Sequence, residues 1–210
     1  MLDSTERFIV KVCGVTSEED ARAAIEAGAN ALGFNFYYQS PRFLTPARAR
    51  QIAETLPNDI LKVGVFVNAT KQELIDIGTS TGLDVLQLHG NQIPLHLPDS
   101  FRIWRAIQAG ARPAPHRIVE AYLLDTPTPE YGGSGRTFDW TLAKAFPHRR
   151  ILAGGLDGEN VAEAIRIARP WGVDACSRLE SRPGKKDPAR VTAFVQAALA
   201  AFRLPQEINT

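Results

Sequence analysis

Short apolar runs alternate with longer amphipathic segments along the whole chain. Eight of these runs have the length and composition of β-strands, and each is followed by a helical segment or a polar loop. The predicted strands cover residues 8–13, 31–36, 60–67, 83–88, 101–107, 122–125, 151–153 and 172–177. Strands that alternate with helical crossovers indicate a parallel sheet and therefore the α/β class.

The segments between the strands carry signals for helix ends. Ser17 or Thr16 stands ahead of acidic first-turn residues and predicts the start of helix 1, which runs to Gly28. A Thr-Pro pair at 45–46 marks the first turn of helix 2. Further helices are predicted over residues 70–80, from near 139, between 157 and 172, and over 187–202. Between residues 108 and 117, one glycine and two prolines predict that helix 5 is short or missing.

The position of a glycine-rich loop favours a closed barrel over an open sheet. Gly154 and Gly155 follow strand 7, and the loops after strands 7 and 8 of a (β/α)8 barrel frequently bind a phosphate group. An open doubly wound sheet would place such a loop after strand 1, where Gly14 stands alone. We therefore predict a single (β/α)8 TIM barrel over residues 1–210, with its core from about 8 to 203. A chain of 210 residues suits one domain of this kind.

Composition disfavours several classes of partner. The net charge of +1 gives no electrostatic reason to expect nucleic acid or a membrane surface, and no apolar run approaches the roughly 18 residues of a spanning helix. Two cysteines cannot form a disulfide framework, and the first residues lack the basic and apolar regions of a signal peptide. We therefore expect a cytoplasmic protein that acts on a small molecule.

Polar residues close most of the predicted strands, where barrel enzymes have their active sites. Cys13 closes strand 1 and Asp125 closes strand 6, so a thiol and a carboxyl group could serve as a base and an acid. Each residue also has a structural interpretation: Cys13 could be a buried thiol of the core, and Asp125 could cap a loop. The other candidates at this end are Arg42, Gln87, His89, Gly154, Gly155, Asp174, Ser177 and Arg178. The four histidines show no metal-ligand spacing, so we predict no metal.

A series of motifs runs through the chain in a fixed order. They are KVCGVT at 11–16, GFNFY at 33–37 with SPR at 40–42, VGVFVN at 63–68, LQLHG at 86–90, LLDT at 123–126 with GGSGRTFDW at 132–140, GGL at 154–156 with ENV at 159–161, and ESRPGKKD at 180–187. Together they resemble the phosphoribosylanthranilate isomerase family. The resemblance implies an enzyme of tryptophan biosynthesis that converts N-(5-phospho-β-D-ribosyl)anthranilate to 1-(2-carboxyphenylamino)-1-deoxy-D-ribulose 5-phosphate, an Amadori rearrangement that needs no cofactor.

The resemblance also implies roles for the candidate residues. Asp125 matches the general acid that protonates the ribose ring oxygen, and Cys13 matches the general base that removes the C2′ proton. Arg42 matches the residue that binds the anthranilate carboxylate. The backbone N–H groups that match the phosphate cradle are those of Gly154, Gly155, Ser177 and Arg178. Acid catalysis by a carboxyl group at neutral pH requires a raised pKa, and base catalysis by a thiol requires a stabilised thiolate.

The family pattern after strand 8 runs Asp-Val-Ser-Ser-Gly-Val-Glu, and two residues of this chain depart from it. Arg178 stands in place of the glycine, which would cost about 1–3 kcal/mol of strain if the position needs a positive φ. We expect Arg178 to bind or cover the phosphate group. Cys176 stands in place of a serine, and because strands 1 and 8 are neighbours in a closed barrel, it is a candidate to approach Cys13.

Other functions stay open at this stage. A related phosphoribosyl sugar isomerase would be expected to carry an aspartate where Cys13 stands. A non-catalytic barrel that binds a phosphate ligand is allowed by Arg178, although such a protein has no need of Cys13 or Asp125. The loop over residues 126–136 is long enough to act as a lid. The sequence is compatible with either a monomer or a homodimer.

Overall fold

Eight parallel strands form a closed barrel in the order in which they occur along the chain. The computed structural model describes residues 7–90, 93–94, 96–114, 116–126 and 137–203. The barrel strands are β1 (Ile9–Cys13), β2 (Ala31–Asn35), β3 (Leu61–Val67), β4 (Val85–His89), β5 (Arg102–Gln108), β6 (Val119–Asp125), β7 (Arg150–Leu152) and β8 (Gly172–Ala175). The barrel closes where β8 pairs with β1, and Ile9 lies opposite Gly172. The predicted α/β class and (β/α)8 barrel are confirmed.

Six α-helices occur in the described part of the chain. They are α1 (Glu18–Ala27), α2 (Pro46–Ala53), α3 (Lys71–Thr81), α4 (Thr141–Lys144), α5 (Val161–Ala168) and α6 (Pro188–Arg203). Ser17 caps α1 by accepting a hydrogen bond from the Asp20 N–H, and Thr70 caps α3 in a capping box. The described residues between β5 and β6 contain no helix, as the prolines there predict. None of the described helices is long and apolar enough to cross a bilayer.

Predicted strand boundaries agree with the structure to within three residues. The largest difference at a carboxyl end is in strand 8, which stops at Ala175 because residues Ser177–Leu179 turn into a short 3-10 helix. A two-stranded antiparallel sheet follows, formed by β9 (Glu180–Arg182) and β10 (Lys185–Lys186). This sheet leads the chain back towards α1, since Lys185 pairs with Glu19. The predicted lid over 126–136 falls, apart from Thr126, outside the described residues.

The buried apolar residues form two clusters on the two sides of the barrel wall. The cluster inside the barrel contains Ile9, Ala31, Val63, Val85, Trp104, Ala106, Ala121, Leu123, Ile151, Ala153 and Trp171. The larger cluster lies between the wall and the surrounding helices and includes Val10 and Val12 of β1 with Phe194 of α6. Side chains at alternate strand positions face opposite sides of the wall. In β1, Ile9, Lys11 and Cys13 therefore face inward.

Candidate active site

All ten residues that the sequence predicts for the site line a single cavity at the carboxyl ends of the strands. They are Cys13, Arg42, Gln87, His89, Asp125, Gly154, Gly155, Asp174, Ser177 and Arg178. Asn35, Ser40 and Cys176 line the same cavity, although the sequence assigned none of them a role in the reaction. The sequence already places Asn35 at the end of a strand, and the same kind of position, at a strand end or in the following loop, is the signal that could have identified Ser40 and Cys176.

The inward-facing residues change from apolar to polar along several strands. In β4, Val85 belongs to the apolar cluster inside the barrel, whereas Gln87 and His89 line the cavity. In β6, Leu123 precedes Asp125 in the same way. Because every strand runs in the same direction, these polar ends meet at one mouth of the barrel.

Asp125 is held at the mouth by its neighbours in the chain and in the next loop. Its Oδ1 atom accepts a hydrogen bond of 2.8 Å from the Thr126 N–H. Burial raises the pKa of the Asp125 carboxyl group, and the Thr126 hydrogen bond and the Lys11 charge oppose this only in part. The upward direction is the one that a general acid requires at neutral pH.

Gly154 allows the loop after β7 to reach the carboxyl group of Asp125. Its φ is 77°, and a Cβ at this position would lie 2.7 Å from Asp125 Oδ1 and 2.7 Å from the Thr126 nitrogen. Any side chain would therefore force the loop away from the acid. The glycine that the sequence predicts for phosphate binding therefore also determines how closely the loop after β7 approaches Asp125.

The thiols of Cys13 and Cys176 interact, and their pKa values shift in opposite directions. The interaction with Cys176 and burial raise the pKa of Cys13 well above its usual value, and nearby Lys11 offsets only part of this effect. The pKa of Cys176 is lowered to about 7 by the interaction with Cys13 and by the charges of Lys186 and Arg42. The surroundings therefore stabilise a thiolate on Cys176 rather than on Cys13 in the free protein.

Lys11 and Asp174 form a buried ion pair beside the thiols. Lys11 Nζ donates a hydrogen bond of 2.8 Å to Asp174 Oδ1, and both side chains are buried. Burial by itself lowers the pKa of Lys11, but Asp174 and Cys13 together raise it above its usual value. The ammonium group therefore stays charged inside the barrel mouth, and Asp174 is tied to it.

Arg42 reaches the cavity from the loop after β2 and is fixed by Glu180. Its Nε and Nη2 atoms donate hydrogen bonds of 3.0 and 2.7 Å to the two oxygens of Glu180. Lys186 Nζ donates a third bond of 3.0 Å to Glu180 Oε1. The sequence predicted Arg42 but not these partners, which belong to the motif at 180–187. A bidentate pair of this kind holds the planar guanidinium group in one orientation at the cavity edge.

Gln87 and His89 present neutral polar groups to the cavity. Their Nε2 atoms lie 3.0 Å apart. Burial, together with the charge of Lys11, lowers the pKa of His89 to about 4, so the imidazole ring is neutral at pH 7. Gln87 is buried, and its Oε1 atom accepts no hydrogen bond from the described residues. An amide and a neutral imidazole in this position suit the hydroxyl groups of a sugar.

Arg178 lies in the 3-10 helix and does not have a positive φ, so its replacement of a glycine causes no backbone strain here. Its guanidinium group forms an ion pair with Asp157. Asp157 Oδ1 also accepts hydrogen bonds from the N–H groups of Glu159 and Asn160. The ion pair therefore connects the loop after β7 to the loop after β8, the two loops of the predicted phosphate cradle. Direct contact of Arg178 with phosphate stays a prediction.

The fold is a closed parallel barrel, and its polar residues and glycine-rich loop lie at the carboxyl ends of the strands. This arrangement is typical of (β/α)8-barrel enzymes. Residues 10–197 match the family model described as N-(5'phosphoribosyl)anthranilate (PRA) isomerase. The chain therefore belongs to the PRA isomerase family, and it is an isomerase of tryptophan biosynthesis. Within the described residues, no group of three or more His, Cys, Asp or Glu side chains is arranged to hold a metal ion.

Individual relatives support the assignment over more than 90% of the chain. The N-(5'-phosphoribosyl)anthranilate isomerase of Solibacter usitatus is 50% identical over 204 residues, which cover 93% of this chain and 99% of the relative. A crystal structure of phosphoribosyl anthranilate isomerase in complex with reduced 1-(o-carboxyphenylamino)-1-deoxyribulose 5-phosphate has a TM-score of 0.76 and 34% identity, covering 92% of this chain and 100% of that one. A crystal structure of monomers of the dimeric Thermotoga maritima enzyme has a TM-score of 0.76 and 35% identity, with the same coverage.

Proposed function

We propose that Asp125 and Cys13 carry out the Amadori rearrangement of N-(5-phospho-β-D-ribosyl)anthranilate as general acid and general base. The observation that carries this proposal is that the two side chains face one cavity from β6 and β1, on different sides of the barrel mouth. A substrate between them would present its ring oxygen to one group and its C2′ hydrogen to the other. An isomerase of this type requires one group that donates a proton and a second group that accepts one.

The acid step uses the raised pKa of Asp125. The protonated carboxyl group donates its proton to the ribose ring oxygen, the bond from that oxygen to C1′ breaks, and the nitrogen becomes part of an iminium ion. Burial favours the neutral carboxyl group before the step. Gly154 permits the phosphate loop to lie against the same carboxyl group, so a phosphate held there would fix the distance between the sugar and the acid.

The base step removes the C2′ proton. A Cys13 thiolate accepts this proton, and the electron pair of the C–H bond forms a carbon–carbon double bond while the iminium charge is neutralised. Tautomerisation of the resulting enaminol gives the ketose product. Lys11 lies near Cys13 and lowers the energy of the thiolate, although burial and Cys176 act in the opposite direction.

The remaining predicted residues would bind the substrate. The N–H groups around Gly154, Gly155, Ser177 and Arg178 would bind the phosphate group. Arg42 would bind the anthranilate carboxylate, since its guanidinium group keeps donor N–H groups beyond those given to Glu180. Gln87, His89 and Asp174 would contact the sugar. No step of this scheme requires a cofactor or a metal ion.

We also propose that the enzyme works in the cytoplasm as a monomer or homodimer, with a small phosphorylated molecule as its partner. The net charge of +1 favours neither nucleic acid nor a membrane surface. The dimeric enzyme of Thermotoga maritima supports the homodimer. Sedimentation of the purified chain over a range of concentrations would distinguish the two states.

The test is anthranilate-fluorescence turnover of freshly generated phosphoribosylanthranilate by wild type, Cys13→Ala and Asp125→Asn. Loss of a general acid or base should lower kcat by about 10²- to 10⁴-fold in each variant. Circular dichroism would verify that both variants are folded. Asp76→Asn is the matched control, because Asp76 is an exposed carboxylate on α3 that contacts Gln72.

Two outcomes would contradict the assignment. Substantial turnover by folded Cys13→Ala would show that another group takes the C2′ proton. A wild-type protein that binds a reduced product analogue but does not convert the substrate would favour the non-catalytic binding barrel. In that case, Arg178→Gly would be the first reversion to examine.

A further inference from the structure

The hairpin that follows β8 contacts Arg42 but does not line the cavity. It consists of β9 and β10, and Glu180 on β9 lies opposite Lys186 on β10. The side chains of Glu180 and Lys186 are 3% and 0% exposed, and neither residue lines the cavity that Arg42 lines. Any effect of these two residues on a bound substrate must therefore pass through a residue at the cavity edge.

The turn of the hairpin packs against the loop that carries Arg42. Gly184 has a φ of 80°, and a Cβ there would lie 2.9 Å from the carbonyl oxygen of Pro41, the residue before Arg42. Thr16 Oγ1 donates a hydrogen bond of 2.5 Å to the Gly184 carbonyl oxygen. The aliphatic part of Arg42 lies against Gly14, where a Cβ would be 3.1 Å from Arg42 Cγ. These contacts hold the backbone before Arg42 and the stem of its side chain in place.

Glu180 orients the guanidinium group of Arg42, and Lys186 neutralises Glu180. Arg42 gives an N–H of Nε and an N–H of Nη2 to Glu180, which leaves the donors of Nη1 for another acceptor. A carboxylate alone would fix this orientation but would also cancel the charge of Arg42. Because Lys186 Nζ lies 3.0 Å from Glu180 Oε1, two cations share one carboxylate and a positive charge remains.

We propose that Glu180 and Lys186 are positioning residues that make the site selective for an aryl group with a carboxylate beside its nitrogen. Glu180 sets the direction of the Arg42 guanidinium group, and Lys186 keeps the positive charge of Arg42 available to the substrate. This inference rests on the proposed function, because it assumes that Arg42 binds the anthranilate carboxylate. The substrate carboxylate would complete a set of two cations and two carboxylates with no net charge.

The burial of this ion pair is better explained by binding than by stability. A buried ion pair costs desolvation energy, and apolar residues of similar volume are frequently as stable or more stable in its place. Guanidinium–carboxylate recognition depends strongly on direction, and a guanidinium group that is already fixed loses little side-chain freedom when a ligand binds. A buried pair that fixes Arg42 therefore favours the binding of a carboxylate over that of an uncharged group.

The experiment compares the binding of two ligands by titration calorimetry. One is reduced 1-(o-carboxyphenylamino)-1-deoxyribulose 5-phosphate, and the other is the same molecule with an unsubstituted phenyl ring. The dissociation constant of the phenyl ligand divided by that of the carboxyphenyl ligand reports the contribution of the carboxylate, since both ligands share the sugar and the phosphate. The test variant is Glu180→Gln/Lys186→Met, which removes the ion pair but retains the net charge around Arg42.

We expect this ratio to fall roughly tenfold in the double variant, because the guanidinium group keeps its charge but loses its fixed orientation. Binding of the phenyl ligand should not change. Lys186→Met alone should also lower the ratio, since Glu180 then cancels the charge of Arg42. The matched control is Glu19→Gln/Lys185→Met, because this more exposed pair joins β10 to α1. The control should retain the wild-type ratio.

Each other outcome overturns the proposal. A wild-type ratio in the double variant would show that Arg42 needs no positioning, and a higher ratio would show that Glu180 competes with the ligand carboxylate for Arg42. An equal loss of affinity for both ligands, or unfolding of both variants by circular dichroism, would show a purely structural role. Failure of the proposed function is recognised separately, because Arg42→Ala would then bind both ligands with the wild-type ratio.

Discussion

The apolar cluster inside the barrel, here called the floor, and the cavity at the carboxyl ends of the strands, the mouth, are built largely from the same strands. The floor is lined by apolar side chains and the mouth mainly by polar ones. At the floor, Trp104 and Trp171 pack edge to face with ring centroids 5.8 Å apart, and small and branched apolar residues surround them. At the mouth, two residues further along the strands, the ionisable side chains of Lys11 and Asp174 are buried and paired with one another. Burying apolar surface stabilises a fold, whereas burying ionisable groups costs desolvation energy. The comparison shows that stability and chemistry occupy separate layers of the barrel interior.

The largest expected effect is a loss of stability when the apolar packing of the floor is disrupted. Trp104 is fully buried, and its indole N–H donates a hydrogen bond of 2.9 Å to Glu120. Trp104→Ala should lower the free energy of unfolding by about 3–5 kcal/mol, because it leaves a large cavity. Denaturant unfolding measures this loss. The folded fraction should keep its KM, since Trp104 does not line the cavity at the mouth.

Leu142→Ala is the matched control for the floor. Leu142 is a large apolar side chain on α4 that is exposed, so its truncation should change the free energy of unfolding by less than about 0.5 kcal/mol. A floor variant as stable as this control would mean that Trp104 does not carry the packing assigned to it.

A smaller effect is expected at the mouth when the pH is lowered. His89 has a pKa of about 4 in the folded protein against about 6.5 in the unfolded chain. Between these values the unfolded state binds a proton that the folded state does not, so stability is complete above about pH 6.5 and is lost as the pH falls to 4. The loss should reach at most about 3 kcal/mol.

Unfolding curves at pH 7 and pH 4.5 for wild type and His89→Gln would isolate this contribution. Other carboxyl groups titrate over the same range in both proteins, so only the difference between the two proteins is informative. Stability should depend less on pH in His89→Gln. An identical pH dependence in both would show that His89 is not held neutral by the fold.

The smallest expected effect concerns the ion pair between Arg178 and Asp157, which links the loops after β7 and β8. Arg178 is exposed, and an exposed ion pair contributes about 0–1 kcal/mol. Arg178→Gly should therefore raise KM by a few-fold, up to roughly fivefold for 1 kcal/mol, with little change in kcat. Steady-state kinetics at low and high salt would measure the change. An unchanged or lower KM would exclude a role for Arg178 in phosphate binding.

Asp157→Asn separates the two roles that Arg178 could have. The amide keeps an oxygen for the N–H groups of Glu159 and Asn160 but removes the charge that pairs with Arg178. If the ion pair alone orders the loops, Asp157→Asn and Arg178→Gly should raise KM equally. If Arg178 contacts the phosphate, its own substitution should have the larger effect.

Much of the barrel and of its site was determined by the sequence alone. The apolar runs, the helix caps at Ser17 and Thr45, and the late position of Gly154 and Gly155 were sufficient to predict a closed parallel barrel. The candidate residues could be located because the carboxyl ends of parallel strands meet at one mouth, so chain order alone brings them together. Local patterns of this kind need no knowledge of which distant residues come into contact.

The tertiary structure alone decided which side chains pair and which way their pKa values move. Lys11 meets Asp174 across 163 residues, and Arg42 meets Glu180 across 138. Arg178 has no positive φ, although the sequence alone left a strained backbone at this position open. The thiolate is stabilised on Cys176 rather than on the predicted base, Cys13. Burial, hydrogen bonds and neighbouring charges set these properties, and all three arise only when distant parts of the chain are packed together.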